Sequence, residues 1–359
     1  MTGGANFNQY LLIERKKPMN VLLTGNLSAL TEELSNQLCI ENKLILAAKE
    51  INDKILPPKV ITFSFAPKED MFSKLFKSYS IDAVVFLATR SEHENRKAGT
   101  LEELDVVLKL CCDHKVSQVV YISSSEVYPT ENTAAATIYG ETQPSSVNND
   151  SYLLALSEDL CRFYKETNGL NIVILHVPYV YSDNISDSLL SRLIVQAKQK
   201  ESIALPGAKE QQCDFIKDTD IAKLVRKIIE EGYGLSEYVI DVGSGKPITF
   251  GELSDMLHTV FPQRKITYSA DENSVPIPVF SEIPRRYYDW IPFSELSSEF
   301  ANVAQNIANA APKRKSIWTL IKEKAPKYRI LLQGLELILG FFLMEFLNSV
   351  TGATMQFRF

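Results

Sequence analysis

The sequence predicts an α/β fold: a doubly wound parallel sheet, then a smaller C-terminal lobe, then an apolar helix. Three observations carry that expectation. From Asn20 onward short apolar runs alternate with amphipathic stretches. The runs are apolar almost throughout, as strands covered on both faces are. After Tyr181 the rhythm loosens into loops bearing Pro and Gly. Alternation of this kind joins parallel strands through crossover helices on both sides of a sheet.

The elements follow in order. "NVLLTG" reads as a first strand, "SALTEELSNQL" as a helix, and "KLILAA" and "KVITFSF" as further strands. "DAVVFLA", the helix "GTLEELDVVLKLCCDH", "QVVYISS", the helix "SYLLALSEDLCRFYKETNG" and "NIVILHV" continue the pattern. β-branched residues and leucine dominate the strand runs, and the helices carry apolar positions at helical spacing. Beyond Tyr181, "DTDIAKLVRKIIEEG", "EYVIDVG" and "TFGELSDMLHTVF" fit a smaller lobe beside the sheet. The expected organisation is an N-terminal extension over 1–18 and a domain over 19–312. Its core runs to about 181 and its lobe lies mainly within 182–300.

At Pro312 the composition changes. "PKRKSIWTLIKEKAPKYR" holds seven basic residues against one acidic, making 313–329 a basic linker. "ILLQGLELILGFFLMEFL" is apolar on nearly every face. As a helix it would extend about 27 Å, close to the hydrocarbon thickness of a bilayer. Residues 330–348 are therefore expected to span a membrane. The preceding positive charges would keep the globular part in the cytoplasm, so the expected location is the cell membrane. The chain ends soon afterwards at Phe359, as though more membrane segments should follow.

Composition narrows the function classes. With 359 residues and 45% hydrophobic content the chain can bury a large core. Its net charge of −6, from 38 basic and 44 acidic residues spread along the chain, argues against a nucleic-acid partner. Five cysteines, odd in number and without a C-x-x-C pair, indicate neither a zinc site nor a disulfide framework. The four histidines show no metal-ligand spacing, so no metal is expected.

"VLLTGNLSALT" is a strand, a glycine turn and a helix start. In dinucleotide folds three glycines here let backbone approach a pyrophosphate at the helix N-terminus. This chain has Gly25, Ser28 and Thr31 at those places. At the end of the second strand an acidic residue commonly takes the adenosine ribose. Ala47, Ala48 and Lys49 stand there instead, so the cofactor expected, if one binds, is NAD or NADP.

"VVYISSSEVY" followed by "SYLLAL" resembles the extended short-chain dehydrogenase/reductases, a Rossmann-like family of NAD-dependent nucleotide-sugar epimerases, dehydratases and decarboxylases. The likeness runs from about Asn20 to Phe300 and includes "DFIKDTDIA", "YVIDVGSGKPITFGEL" and "YDWIP". The resemblance implies that Ser124 is the serine that bonds the reacting sugar hydroxyl, that Glu126 is an auxiliary acid, and that Tyr152 is the tyrosine that exchanges a proton. It also implies a lysine four residues after that tyrosine, where this chain has Leu156. A phenol has a pKa of about 10, so without that cation Tyr152 would stay protonated at neutral pH.

Other positions depart in the same direction. His176 replaces the family's strand-end arginine, and Cys213 replaces the arginine of "R-D-F". A bidentate phosphate contact is lost with the latter. Arg285 and Arg286 remain as substrate diphosphate partners, and Asp214, Asp220, Gly243 and Trp290 fit structural roles. The expected function is thus a catalytically degenerate relative, a sensing or scaffolding head of a membrane-associated protein in exopolysaccharide biosynthesis. The alternative is an active nucleotide-sugar epimerase, dehydratase or decarboxylase with an unusual site. Expected partners are a nucleotide or nucleotide sugar, the membrane through 330–348, and a second copy or membrane-complex protein.

Overall fold

The structure, a computed structural model, describes residues 17–26, 30–48, 51, 56–64, 69–88, 99–128, 149–232, 238–269 and 280–310. The chain divides into two units at 311/312, and the second, with the basic linker and residues 330–348, lies outside the described residues. Among the described residues no helix is long and apolar enough to cross a membrane.

The strands are β1 (Asn20–Gly25), β2 (Lys43–Ala48), β3 (Ile61–Ser64), β4 (Ala83–Leu87), β5 (Gln118–Ser124), β6 (Ile172–Val177), β7 (Tyr179–Tyr181), β8 (Ser202–Leu205), β9 (Gln212–Cys213), β10 (Phe215–Lys217), β11 (Val239–Asp241), β12 (Ile248–Thr249) and β13 (Lys265–Tyr268). The helices are α1 (Leu30–Leu38), α2 (Glu69–Tyr79), α3 (Gly99–Asp113), α4 (Asn149–Asn168), α5 (Leu189–Gln199), α6 (Asp218–Glu231), α7 (Phe250–Val260), α8 (Ile283–Tyr288) and α9 (Leu296–Ala310).

Seven strands form one parallel sheet in the order β11-β6-β5-β4-β1-β2-β3. Winding reverses between β1 and β4, and that reversal opens a crevice beyond the carboxyl ends of the strands. The two-residue period of a strand divides its side chains between the two faces. Val21 and Leu23 of β1 join α1 and α6 residues such as Leu34, Ile221 and Val225 on one face. Leu22 joins Phe72, Leu104, Val107 and Cys161, from α2, α3 and α4, on the other. Side chains of this size contribute about 1.5–3 kcal/mol each when fully buried.

A second core gathers Tyr181, Leu190, Ile194, Phe215, Phe250, Leu257 and Phe300 in the lobe. Three two-stranded pairs, β10-β7, β12-β9 and β13-β8, frame it. α7 starts on a reciprocal cap: Thr249 accepts from the Glu252 amide at 3.1 Å, and Glu252 accepts from the Thr249 amide at 2.6 Å.

One boundary differs from expectation. α6 and β11 fall within 182–300 yet belong to the main layers, α6 packing beside α1 and β11 forming an edge of the large sheet. β11 has three residues, too short a run for a period to declare itself.

Candidate functional site

At the carboxyl end of β1, Gly25 adopts φ 94°, and a Cβ there would lie 2.3 Å from the Leu87 carbonyl oxygen. Only glycine fits both the conformation and the space. The Asn26 amide then donates to the same carbonyl at 2.9 Å, fixing the turn. Thr31 is buried in the first turn of α1, and its carbonyl accepts from Ser35 Oγ at 2.7 Å. Ser28 and Lys49 lie outside the described residues.

Ala47 and Ala48 end β2 as buried small residues. Thr24 Oγ1 donates to the Ala47 carbonyl at 2.7 Å and lies 3.3 Å from Glu103 Oε1, which reaches over from α3. Burial raises the Glu103 carboxyl to about 7, with the Thr24 contact opposing the rise.

The other half of the crevice is built on one rung of the sheet. Ser123 of β5 pairs with His176 of β6, and His176 with Asp241 of β11. Above this rung α4 lowers Glu158, whose side chain is fully buried. Ser123 Oγ donates to Glu158 Oε1 at 2.5 Å. His176 Nε2 is 3.1 Å from the same oxygen and Nδ1 is 3.0 Å from Asp241 Oδ1. Tyr128 OH lies 2.9 Å from Nδ1 and donates to Asp241 Oδ1 at 3.0 Å. Its ring meets the imidazole edge-on at 5.0 Å. Arg162 completes the chain at 3.3 Å from Glu158 Oε2.

Charge follows from this geometry. Burial alone would push His176 down, but a carboxylate on each ring nitrogen more than offsets it and raises the imidazole to about 10. Burial would likewise raise Glu158, yet His176, Ser123 and Arg162 hold it below its ordinary value. Both nitrogens of the imidazolium donate, one to each acid. Tyr128 is pushed up by burial and by Asp241, so its phenol stays protonated.

Ser124 ends β5 buried, and its Oγ accepts from the Glu126 amide at 3.2 Å at the start of a single 3-10 turn over Ser125–Val127. The sequence groups Ser124 and Glu126 with Tyr152 of α4. The buried face of α4 carries Ser151, Leu154, Ser157, Glu158 and Cys161. Tyr152 is 52% exposed, and Leu153 and, about three turns further along α4, Phe163 are exposed as well. Leu156 is half-buried, and the residue packed on Val127 and Tyr128 is Leu154.

Arg285 and Arg286 are exposed on α8, Arg285 within 3.8 Å of Glu282 in its own turn. α8 is anchored by Pro284 and Tyr288 on the α6 side of the molecule. Residues expected to be structural do tie segments together. Asp214 accepts from the amide of Ser244 at 2.8 Å and from its hydroxyl. Asp220 Oδ2 accepts from the amides of Phe293 and Ser294, and its carbonyl accepts from Trp290 Nε1 at 3.1 Å. Cys213 is buried, its Sγ 3.4 Å from the Ile248 carbonyl. Ser123, Glu158, Asp241 and Glu103 were not singled out by sequence. The available signal was polar residues inside apolar strand and helix patterns, which when buried must find partners. Among the described residues no group of three or more His, Cys, Asp or Glu could hold a metal ion.

Comparison with known proteins places this geometry. The model of the NAD dependent epimerase/dehydratase family matches residues 38–243. An uncharacterized UDP-glucose epimerase of Bacillus subtilis is 23% identical over 287 residues, 71% of this chain and 86% of that protein. Among solved structures, a UDP-glucuronic acid 4-epimerase from Bacillus cereus, in complex with UDP-glucuronic acid and NAD, superposes with a TM-score of 0.70 at 17% identity, covering 81% of this chain and 100% of that one. A dTDP-glucose 4,6-dehydratase from Bacillus anthracis, in complex with NAD, gives 0.70 at 16% identity over 81% and 97%. At such identities the likeness shows a shared Rossmann-like fold.

Proposed function

The chain belongs to the NAD dependent epimerase/dehydratase family, and from that premise we propose that it keeps the family's nucleotide cleft as a binding and scaffolding head that performs no hydride transfer. The observation that carries this reading is Leu154. It packs on Val127 and Tyr128, and among the described residues the buried face of α4 around it offers Ser151, Ser157, Glu158 and Cys161 but no lysine. Four residues after Tyr152 stands another leucine, Leu156. A leucine supplies no ammonium to adjust a phenol's proton affinity or to bond a nicotinamide ribose.

The fit to a dinucleotide is therefore uneven. Gly25 keeps the positive φ of a glycine turn at the end of β1, while leucine stands where the redox half would use a lysine. Nucleotide-sugar binding is supported by the relatives, one of which was solved with UDP-glucuronic acid. Their sugar-nucleotide chemistry also supports a setting such as exopolysaccharide biosynthesis, and the basic run before 330–348 supports attachment to a membrane. Tyr152, Leu153 and Phe163 give α4 an exposed apolar side suited to a second copy of the chain.

The test is direct. Full-length protein is purified, assayed for bound nicotinamide, and incubated with NAD and UDP-, CDP- and dTDP-sugars. Binding without conversion is the expected result. Turnover of any sugar would favour the active-enzyme alternative, with Ser124 and Glu126 at the reacting hydroxyl.

A further inference from the structure

α3 brings an acidic side chain, Glu103, to the carboxyl end of β1. Thr24 is the penultimate residue of that strand, paired with Ala47 of β2 and Phe86 of β4. It therefore stands beside the reversal of winding, beneath the crevice where ligands of such sheets lie. Its hydroxyl has a single hydrogen, committed to the Ala47 carbonyl at 2.7 Å. The 3.3 Å contact to Glu103 then gives the carboxyl little from Thr24. β2 itself ends in two alanines, so among the described residues the end of that strand supplies no carboxylate for a ribose.

We infer that Glu103 supplies, from α3, the carboxyl that accepts the hydrogen-bond donors of the adenosine half of a bound dinucleotide. The inference rests on the nucleotide-binding reading above and adds the residue that would set its selectivity. Ribose hydroxyls and the adenine amino group are donors, and a carboxylate has lone pairs for both. A 2'-phosphate brings negative charge to the same place and is disfavoured, so the site selects NAD over NADP. Burial holds this carboxyl well above its ordinary pKa. A side chain kept at such a cost to the folded chain is a common mark of a binding site.

Full-length protein titrated calorimetrically with NAD, NADP and nicotinamide hypoxanthine dinucleotide tests the inference. Wild type should bind NAD about tenfold or more tighter than NADP, the scale of a charge-assisted hydrogen bond. Glu103→Gln should narrow that ratio to about threefold or less, and Glu103→Leu should weaken NAD by about tenfold. The thermal midpoint of both variants without nucleotide should hold or rise, because a penalised carboxyl has been removed. A merely structural carboxyl would lower the midpoint and leave the NAD to NADP ratio alone, and that result would overturn the inference. In the hypoxanthine analogue the amino donor is replaced by a carbonyl. Wild-type affinity for it would assign Glu103 to the ribose hydroxyls, and a loss equal to that of Glu103→Leu would assign it to the base. NAD binding insensitive to Glu103 would overturn this assignment alone. A wild type that binds none of the three would overturn the nucleotide reading with it.

Discussion

The two halves of the crevice treat polar groups in opposite ways. Around β5, β6 and β11 every charged member of the buried cluster has an opposite charge or a donor against it: Glu158 faces His176, Ser123 and Arg162, and Asp241 faces His176 and Tyr128. Beside β1 and β2 the Glu103 carboxyl, half-buried, has one weak contact to Thr24. The first half resembles a locked core, and the second resembles a site with capacity left for a ligand. The difference teaches that one cleft can hold a self-satisfied polar cluster at one end and a carboxyl with bonding capacity to spare at the other. Where His176 stands, the cluster has turned inward and its groups serve one another.

The largest expected effect is on the locked half. Glu158→Ala should cost about 3–5 kcal/mol in denaturant unfolding, because it removes the carboxylate that His176 Nε2, Ser123 and Arg162 share and leaves the buried Nε2 without its acceptor. A double-mutant cycle with His176→Leu should show about 0.5–3 kcal/mol of coupling between the two. If instead the single losses add, the cluster is not a unit and the contrast between the halves weakens.

Next comes pH. His176 has an ordinary value near 6.5 unfolded and about 10 folded. Between those values the folded state holds a proton that the unfolded state has released, so stability falls as pH rises. The contribution is complete below about 6.5 and is lost progressively toward 10. Unfolding free energies at pH 6.5, 8 and 9.5 should decline in wild type and flatten in His176→Asn. A flat wild-type profile would show that the imidazole is neutral.

Leu154→Lys and Leu156→Lys then sharpen the phase of α4. The first buries an ammonium against Val127 and Tyr128 and should cost about 2–4 kcal/mol. The second lies toward the outer side and should change stability by about 0.5 kcal/mol or less. Neither should produce sugar turnover. Equal costs would contradict the inward aim of 154. The smallest effect on folding belongs to Phe163→Asp, again within about 0.5 kcal/mol. Light scattering should nevertheless show the oligomer dissociating if a second copy covers that side.

How much of this could be read from sequence depends on where the information sits. The parallel sheet was legible because long apolar strands and amphipathic helices declare their periods locally. The glycine turn was legible for the same reason, since Gly25 stands directly after an apolar run. The phase of α4 was not, because "SYLLALSEDLCRFY" places large apolar residues on both sides of the helix. The buried cluster was hidden by distance along the chain: Ser123, Glu158, His176 and Asp241 meet only through strand register. Glu103 looked like one more acidic residue on the surface of a helix, and only packing beside Thr24 sets it apart.

The late arrival of β11 has a consequence for biosynthesis. β6 ends at Val177 and its outer neighbour begins at Val239, with α5, β8 and α6 made in between. A chain emerging from the ribosome thus presents an unpaired β6 edge, with His176 holding Glu158 but not yet Asp241, until α6 and most of the strands of the second core have been translated. Pairing that must wait for so distant a segment is slow and exposes a sticky edge meanwhile. Truncations before residue 239 should accordingly aggregate in the cell, even though they contain every other strand of the large sheet.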